Sequence, residues 1–326
     1  MKTKLLYVLV SSPEDNYLEM AHISITSAKY HMPDCHIVLV VDDQTDRLMD
    51  DNRRKILKNV DEYIVVPLEQ NTSAHVRSRL IKCGARKYVK GDFLYIDTDT
   101  IIVKPLYDID QTVSSIAAVR NLHVDYSEVY QCFNDSYAEG CRVLDFSIEN
   151  EDVLFNGGVM FVKDDDIAHR FYEMWLNEWE KGSQKILKDQ PALTKANMQM
   201  GHVIQKLDDT WNVQIAHGIK YMKDARICHY FISDTHYESQ AFALKSPCSF
   251  HLLKEDLDNV NNAFFMNLMN DPFYGINDTS MLITGNELFL RQTKLYSIIY
   301  YWFTKKNKQF NRIRYIIKTI GRIIHR

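Results

Sequence analysis

Short apolar runs alternate with longer stretches of mixed polarity along the first hundred positions. Residues 5–10, 36–41 and 63–67 are rich in β-branched and aromatic side chains and bounded by Ser, Pro or Asp, which predicts strands. A fourth run, 93–103, is broken by two carboxylates and then resumes. Between these runs, 17–31, 46–59 and 74–89 are long enough for helices, the middle one polar. Further on, 115–120, 154–162 and 225–230 predict strands and 167–180 a helix, whose Trp175 and Trp179 lie one turn apart on the face expected to be buried. Repeated strand–helix alternation predicts an α/β fold with a mostly parallel sheet and helices on both faces. Such sheets bind ligands at the carboxyl ends of their strands.

The chemistry-bearing residues interrupt the apolar runs. Asp97 and Asp99 flank Thr98 within Phe-Leu-Tyr-Ile-Asp-Thr-Asp-Thr-Ile-Ile-Val. Side chains two apart on an extended chain point the same way, so both carboxylates are expected on one side of a strand end. Hard oxygen ligands favour Mg²⁺ or Mn²⁺, and an ion there would bridge the chain to a diphosphate. The alternative is a solvated surface turn. Asn156-Gly157-Gly158 breaks a second run, where the glycines permit close backbone approach to a ligand or positive φ, and the Asn amide suits a sugar hydroxyl. A β-bulge is the alternative. Asp189 precedes Gln190 and Pro191, an ordinary helix start with Asp189 as cap, but Gln190 has no capping role. His229 ends a short apolar strand; it is either a satisfied structural histidine or, facing Asp97 and Asp99, a third metal ligand. The polar stretch 121–152, with Tyr126, Tyr130, Phe133 and Tyr137, is an acceptor-binding loop or a solvated insertion.

Composition narrows the class. The 326 residues are 46% hydrophobic and 25% charged, enough for a sizeable core. Six cysteines without a C-x-x-C pair suit a reducing compartment and argue against structural zinc. The run after Lys2 and Lys4 is too short for a signal-peptide core, and no apolar stretch of about 18 residues is present to span a membrane. The net charge of −4 is divided: all 43 acidic residues lie at or before Glu287, and 289–326 carries ten Lys or Arg, leaving −14 before the tail and +10 within it. That tail is aromatic over 296–303, and Ile313, Ile316, Ile317, Ile320, Ile323 and Ile324 recur at helical spacing opposite Arg314, Lys318, Arg322 and Arg326. A basic amphipathic helix of this kind suits the surface of an anionic membrane; packing on the body or on a second subunit of a homo-oligomer is the alternative. No nucleic-acid recognition motif is present.

Taken in order, Phe-Leu-Tyr-Ile-Asp97-Thr-Asp99, Asn156-Gly157-Gly158-Val-Met, Asp189-Gln190-Pro-Ala-Leu, Trp211-Asn212 and Ile-Cys-His229-Tyr resemble glycosyltransferase family 8 over residues 4–235. The resemblance implies a GT-A fold, Rossmann-like with a mixed sheet, and a retaining, metal-dependent transferase using a UDP-sugar. It implies that Asp97, Asp99 and His229 hold Mn²⁺ or Mg²⁺ on the donor diphosphate. Val10, Ser11, Ser12 and Tyr17 would border the uridine, with Thr98 beside it in the Asp-x-Asp, and Arg79 would contact the donor sugar and diphosphate. Asn156, Gly157, Asp189 and Gln190 would surround the donor sugar, Gln190 lying where a nucleophile or ion-pair stabiliser is needed. One departure stands out. The family follows its histidine with Gly-x-x-Lys-Pro-Trp, whereas this chain runs His229-Tyr-Phe-Ile-Ser-Asp-Thr-His236, without that glycine or lysine. His236 or Arg226 is then expected to replace the missing charge, or a loop to rearrange around its absence.

These readings lead to an expected catalytic domain over 1–240, an extension over 241–288 and a membrane-associating tail over 289–326. The expected activity is transfer of a hexose to a lipid-linked or surface-glycan acceptor, as in lipopolysaccharide or capsule synthesis, at the cytoplasmic face of the cell membrane. The competing class is a non-catalytic relative that binds nucleotide-sugar or membrane. A metal-dependent nucleotidyltransferase or phosphohydrolase fits less well, because no Gly-rich phosphate loop is present.

Overall fold

The computed structural model describes residues 1–69, 71–123, 135–149, 152–230, 247–274, 293–296 and 298. In order these form β1 (Lys4–Leu9), α1 (Tyr17–His31), β2 (Ile37–Asp42), α2 (Asp43–Arg47), β3 (Glu62–Val66), α3 (Ala74–Cys83), β4 (Phe93–Ile96), β5 (Thr100–Ile102), β6 (Ile116–Arg120), α4 (Asp135–Val143), β7 (Phe155–Val162), α5 (Asp166–Gly182), α6 (Gln190–Gln199), β8 (Ile204–Lys206), β9 (Val213–Gln214), β10 (Ile227–His229), α7 (Pro247–Glu255) and α8 (Ala263–Asn270). The expected tail helix, His236 and most of the polar stretch with Tyr126, Tyr130 and Phe133 lie outside the described residues. Among the described residues no helix is long and apolar enough to cross a membrane.

The main sheet has seven strands in the order β3-β2-β1-β4-β7-β6-β8. β7 alone runs against its neighbours, pairing antiparallel with β4 and β6, and the remaining pairs are parallel. The sheet is therefore mixed. Burial on both faces explains why its strands read as continuous apolar runs. Leu5, Tyr7 and Leu9 enter one core while Leu6, Val8 and Val10 enter the other, and β2, β4 and β7 divide in the same way. The first core is closed by Leu18, Ile23 and Ile25 of α1 and by Phe250, Leu253, Phe265 and Leu268 of α7 and α8. The second is closed by Ile81 of α3, Phe171, Trp175 and Trp179 of α5, and Leu193 and Ala196 of α6. Residues 250–269 thus contribute to the same core as the strands.

Two helix expectations change in detail. The polar stretch 46–59 is not one helix but α2 followed by a 3-10 turn, Arg53–Asn59. Asp50 explains the break: its carboxylate accepts from the Arg53 backbone N–H at 2.8 Å, starting a new turn in competition with a continuous helix. α3 ends at Cys83, before Gly84, rather than running to residue 89.

The chain divides into two units, 1–126 with 136–280, and 127–135 with 281–326. All residues of the candidate site described below belong to the first. Of the second, little beyond 293–296 and 298 is described.

Candidate active site

β4 ends at Ile96, and the chain leaves the sheet through Asp97, Thr98 and Asp99 before starting β5 in a second, three-stranded sheet ordered β5-β10-β9. The two carboxylates therefore converge through a turn, not through strand alternation. The turn is held on both sides. Asp97 N–H donates to Gly158 O at 2.7 Å, Tyr230 N–H donates to Asp99 O at 2.9 Å, and the Thr100 hydroxyl donates to Asp97 O at 2.9 Å. β10 lies antiparallel to β5 with His229 opposite Thr100, which carries the imidazole to the turn from 130 positions further along the chain. One ligand atom each from Asp97, Asp99 and His229 then lies within 4.8 Å of the others. His229 Nε2 is 3.2 Å from Asp99 Oδ1 and 4.0 Å from Asp97 Oδ2.

A relay of amides fixes the histidine. Gly158 N–H donates to Asn156 Oδ1 at 2.8 Å, and a backbone N–H can only donate, so the orientation of the Asn156 amide follows. Asn212 Nδ2 donates to that same Oδ1 at 3.0 Å, which turns Asn212 Oδ1 toward His229 Nδ1, 2.9 Å away. With Nδ1 carrying the proton, the lone pair of neutral His229 sits on Nε2, facing the two carboxylates. That is the tautomer a metal ligand needs, oriented by its neighbours. Asn212→Leu keeps the volume but removes the acceptor. It should weaken divalent-cation affinity about 10–100-fold, measured by Mn²⁺ titration, and an unchanged affinity would show that the relay does not act on the site.

The relay continues away from the metal ligands. Asn156 Nδ2 donates to Asn121 Oδ1 at 3.1 Å, and Gln190 Nε2 donates to the same oxygen at 2.9 Å. Among the described residues Gln190 Oε1 accepts no hydrogen bond, so its oxygen remains the uncommitted polar atom. Asn121 sits just past β6 at a turn where Leu122 and His123 both take positive φ, 57° and 59°. His123 is held there by Asp209 at 3.0 Å and by the Gln214 backbone N–H at 3.0 Å, contacts that offset the strain.

Opposite the histidine the site is basic. Lys82, buried on α3, donates to both Asp97 oxygens at 3.0 and 3.1 Å and lies 3.5 Å from Asp189 Oδ2. Arg79, one turn earlier on the same face, pairs with Asp189 Oδ1 at 3.2 Å. Asp189 stands at the start of α6 but makes no side-chain capping bond; its carboxylate is turned into this ion cluster instead. Burial opposes the Asp189 charge, but Lys82 and Arg79 outweigh it and bring the pKa down to about 2 from an ordinary 3.8. A depressed carboxylate pKa contributes stability above the unfolded value, lost as pH falls through the folded one. Asp189→Asn should therefore destabilise the chain near neutrality by about 2 kcal/mol, and the gap to wild type should close between about pH 4 and pH 2 in denaturant titrations. A gap independent of pH over that range would contradict the assignment.

Three carboxylates (Asp97, Asp99, Asp189) face two cations (Arg79, Lys82), leaving one negative charge among these five groups. Burial works against the Asp99 charge, while the protonated form of His229, through its charge and a hydrogen bond from Nε2, holds the Asp99 carboxyl below the usual range; a divalent cation would take the place of that Nε2 proton. Oxygen donors, an oriented imidazole lone pair and a residual negative charge fit a divalent cation of the Mg²⁺ or Mn²⁺ type.

No protein-family model matches the sequence, and no curated protein matches it. Among solved structures, an active-site mutant of LgtC is similar with a TM-score of 0.52 at 12% identity, over 78% of this chain and 95% of that one. The chain has the GT-A glycosyltransferase fold. Galactosyltransferase LgtC in complex with donor and acceptor sugar analogues is similar at 15% identity and a TM-score of 0.49, over 78% of this chain and 95% of that one. The glycosyltransferase GlyE of Streptococcus pneumoniae TIGR4 is similar at 17% identity and a TM-score of 0.47, over 86% of this chain and 67% of that one. At such identities the likeness concerns the fold.

Within the GT-A fold the remaining candidates fall as follows. Val10 and Ser11 are buried at the end of β1, and Ser12 is half-buried. Ser11 and Ser12 are tied to Asp15, with Ser11 Oγ donating at 2.6 Å and Ser12 N–H at 2.8 Å. Burial, then the charges of Asp99 and Asp15, raise the Tyr17 hydroxyl pKa. Thr98 is half-buried at the turn. Gly157 borders Asp189 and Lys82: a Cβ there would lie 3.8 Å from each, an ordinary contact. Neither Gly157 nor Gly158 has positive φ. β7 instead bulges at this point, since Ala118 faces Met160 while Arg120 faces Phe155. The bulge and the close approach therefore coexist. Arg226 pairs with Asp108 at 2.6 Å, a partner outside the metal-ligand group.

Sequence reasoning passed over Lys82, Tyr95 and Asn121, and read Asn212 only as part of a motif. Two of these carried a usable signal. Lys82 is three residues from Arg79 on one helix face, and Tyr95 shares a strand face with Asp97, whose Oδ1 accepts from its hydroxyl at 2.5 Å.

Proposed function

We propose that this chain is a divalent-metal-dependent glycosyltransferase of family 8. In this reading it moves a hexose from a UDP-sugar to a glycan or glycolipid acceptor with retention at the anomeric carbon. The observation carrying the reading is the convergence of Asp97, Asp99 and His229 within 4.8 Å at the carboxyl end of β4 in a GT-A fold. Asp97, Asp99 and His229 Nε2 hold Mn²⁺ or Mg²⁺. When bound, that cation supplies Lewis-acid stabilisation of the departing nucleoside diphosphate. The chain's own residues do the rest. Val10, Ser11, Ser12 and Tyr17 border the nucleoside, and Arg79 faces the donor with its charge held in place by Asp189. Asn156 positions His229 on one side and, through Asn121, Gln190 on the other. Gln190 Oε1 lies against the positive charge that develops on the sugar. An amide oxygen is too weakly basic for an effective nucleophile, so the acceptor attacks from the face the diphosphate leaves. The basic tail, 289–326, holds the enzyme at the anionic cytoplasmic face of a membrane, where lipid-linked acceptors for surface glycans are found.

The test is UDP release from a panel of UDP-sugars with and without Mn²⁺. Release from one donor, dependent on the metal, supports the reading. UDP binding with no release from any donor, with acceptor glycolipids present, contradicts it.

A further inference from the structure

Lys82 has no role in the reading above, yet it occupies the most sensitive position in the site. Its side chain is 6% exposed, and its ammonium lies over the Tyr95 ring, 5.0 Å from the centroid. It engages both Asp97 oxygens, at 3.0 and 3.1 Å, while Tyr95 also donates to Oδ1 at 2.5 Å. Asp97 is thus already neutralised by a cation belonging to the chain. A divalent cation among Asp97, Asp99 and His229 needs an Asp97 oxygen and repels the ammonium on that carboxylate. The two cations compete.

A buried ammonium leaves such a partner only if another anion receives it. Asp189 Oδ2, 3.5 Å from Nζ, is one such anion, shared with Arg79. Lysine has the flexible stem to swing between the two carboxylates. We propose that Lys82 is a tethered counter-ion that competes with the divalent cation for Asp97. Cation binding moves its ammonium toward Asp189 and the diphosphate of the arriving nucleotide. This rests on the reading of Asp97, Asp99 and His229 as metal ligands. It makes metal and nucleotide binding mutually dependent, because the diphosphate receives the charge the metal displaces.

Mn²⁺ titrations followed by the electron paramagnetic resonance of the free ion test this on the full chain, with and without UDP, for wild type, Lys82→Met and Asp99→Asn. Without UDP, Lys82→Met should bind Mn²⁺ about tenfold tighter than wild type or better, and UDP should strengthen its Mn²⁺ binding by a smaller factor than in wild type. Equal or weaker Mn²⁺ affinity in Lys82→Met overturns the proposal. If that result accompanies wild-type binding abolished by Asp99→Asn, the metal-site reading survives and only the role of Lys82 fails. If neither wild type nor Lys82→Met binds Mn²⁺, even with UDP, both fail. Thermal melting accompanies each titration, and Lys82→Gln is read in the same way should Lys82→Met melt far below wild type.

Discussion

Asp99→Asn should reduce metal-dependent UDP release on the order of 1,000-fold while leaving the chain folded. The substitution keeps the shape of the side chain and removes one anionic oxygen from the metal-ligand group, so charge on the departing diphosphate goes unstabilised. Asp99 is the better of the two carboxylates to change. Asp97 also holds buried Lys82, and neutralising it leaves that ammonium with Asp189 alone, which mixes a stability loss into the activity measurement. Asp99 faces His229, whose other nitrogen is secured by Asn212. The check is the rate of UDP release at saturating Mn²⁺ beside a melting curve. A rate within tenfold of wild type, at unchanged stability, would remove Asp99 from the metal-ligand group.

Gly158→Ala should abolish activity and lower stability by about 3 kcal/mol, the cost of overpacking a site that has no slack. A Cβ at this position would lie 2.4 Å from His229 Cε1 and 2.8 Å from both Asn156 Oδ1 and Asp97 Oδ2. Those atoms are not loose ends. Asn156 Oδ1 is fixed by the Gly158 N–H and Asn212, and His229 is packed in β10 and bonded to Asn212. One methyl group therefore pushes on the metal ligand, on the amide orienting it and on the carboxylate opposite. At Gly157 the nearest atoms are 3.6 Å away or more, so Gly157→Ala should be far milder. Denaturant unfolding and UDP release of the two alanine variants give the comparison, and equal effects would contradict the account of the pair.

The legible parts of the sequence were those with a local cause. The run 17–31 is bounded as a helix by its own pattern and forms one over Tyr17–His31. The strands stood out because both faces of the sheet are buried, so each reads as an unbroken apolar run. Asp97, Asn156 and Gln190 were visible because each interrupts or follows a pattern that local structure does not need. What the chain concealed depends on distant partners. The Asp-x-Asp looked like an alternating strand, but the turn that brings its carboxylates together is held by Gly158 and Tyr230. Asp189 looked like a helix cap, yet two cations from α3 draw its carboxylate away from the helix. Lys82 carries only its spacing from Arg79 as a local signal; that this face of α3 is the inner wall of a site depends on Asp97 and Asp189, which lie outside the helix. Asn121 follows β6 without a pattern of its own and acquires its role only when β7 and α6 bring Asn156 and Gln190 to it.

The central claim is that Asp97, Asp99 and His229 together hold a divalent cation on a nucleoside diphosphate. Its most direct test is a crystal grown with MnCl₂ and UDP, measured at a wavelength where manganese scatters anomalously. The account predicts one strong anomalous peak within bonding distance of an Asp97 oxygen, an Asp99 oxygen and His229 Nε2, with diphosphate density against it and Lys82 withdrawn from Asp97. UDP bound at the end of β1 with no anomalous peak between the two aspartates, and Lys82 still on Asp97, would contradict it.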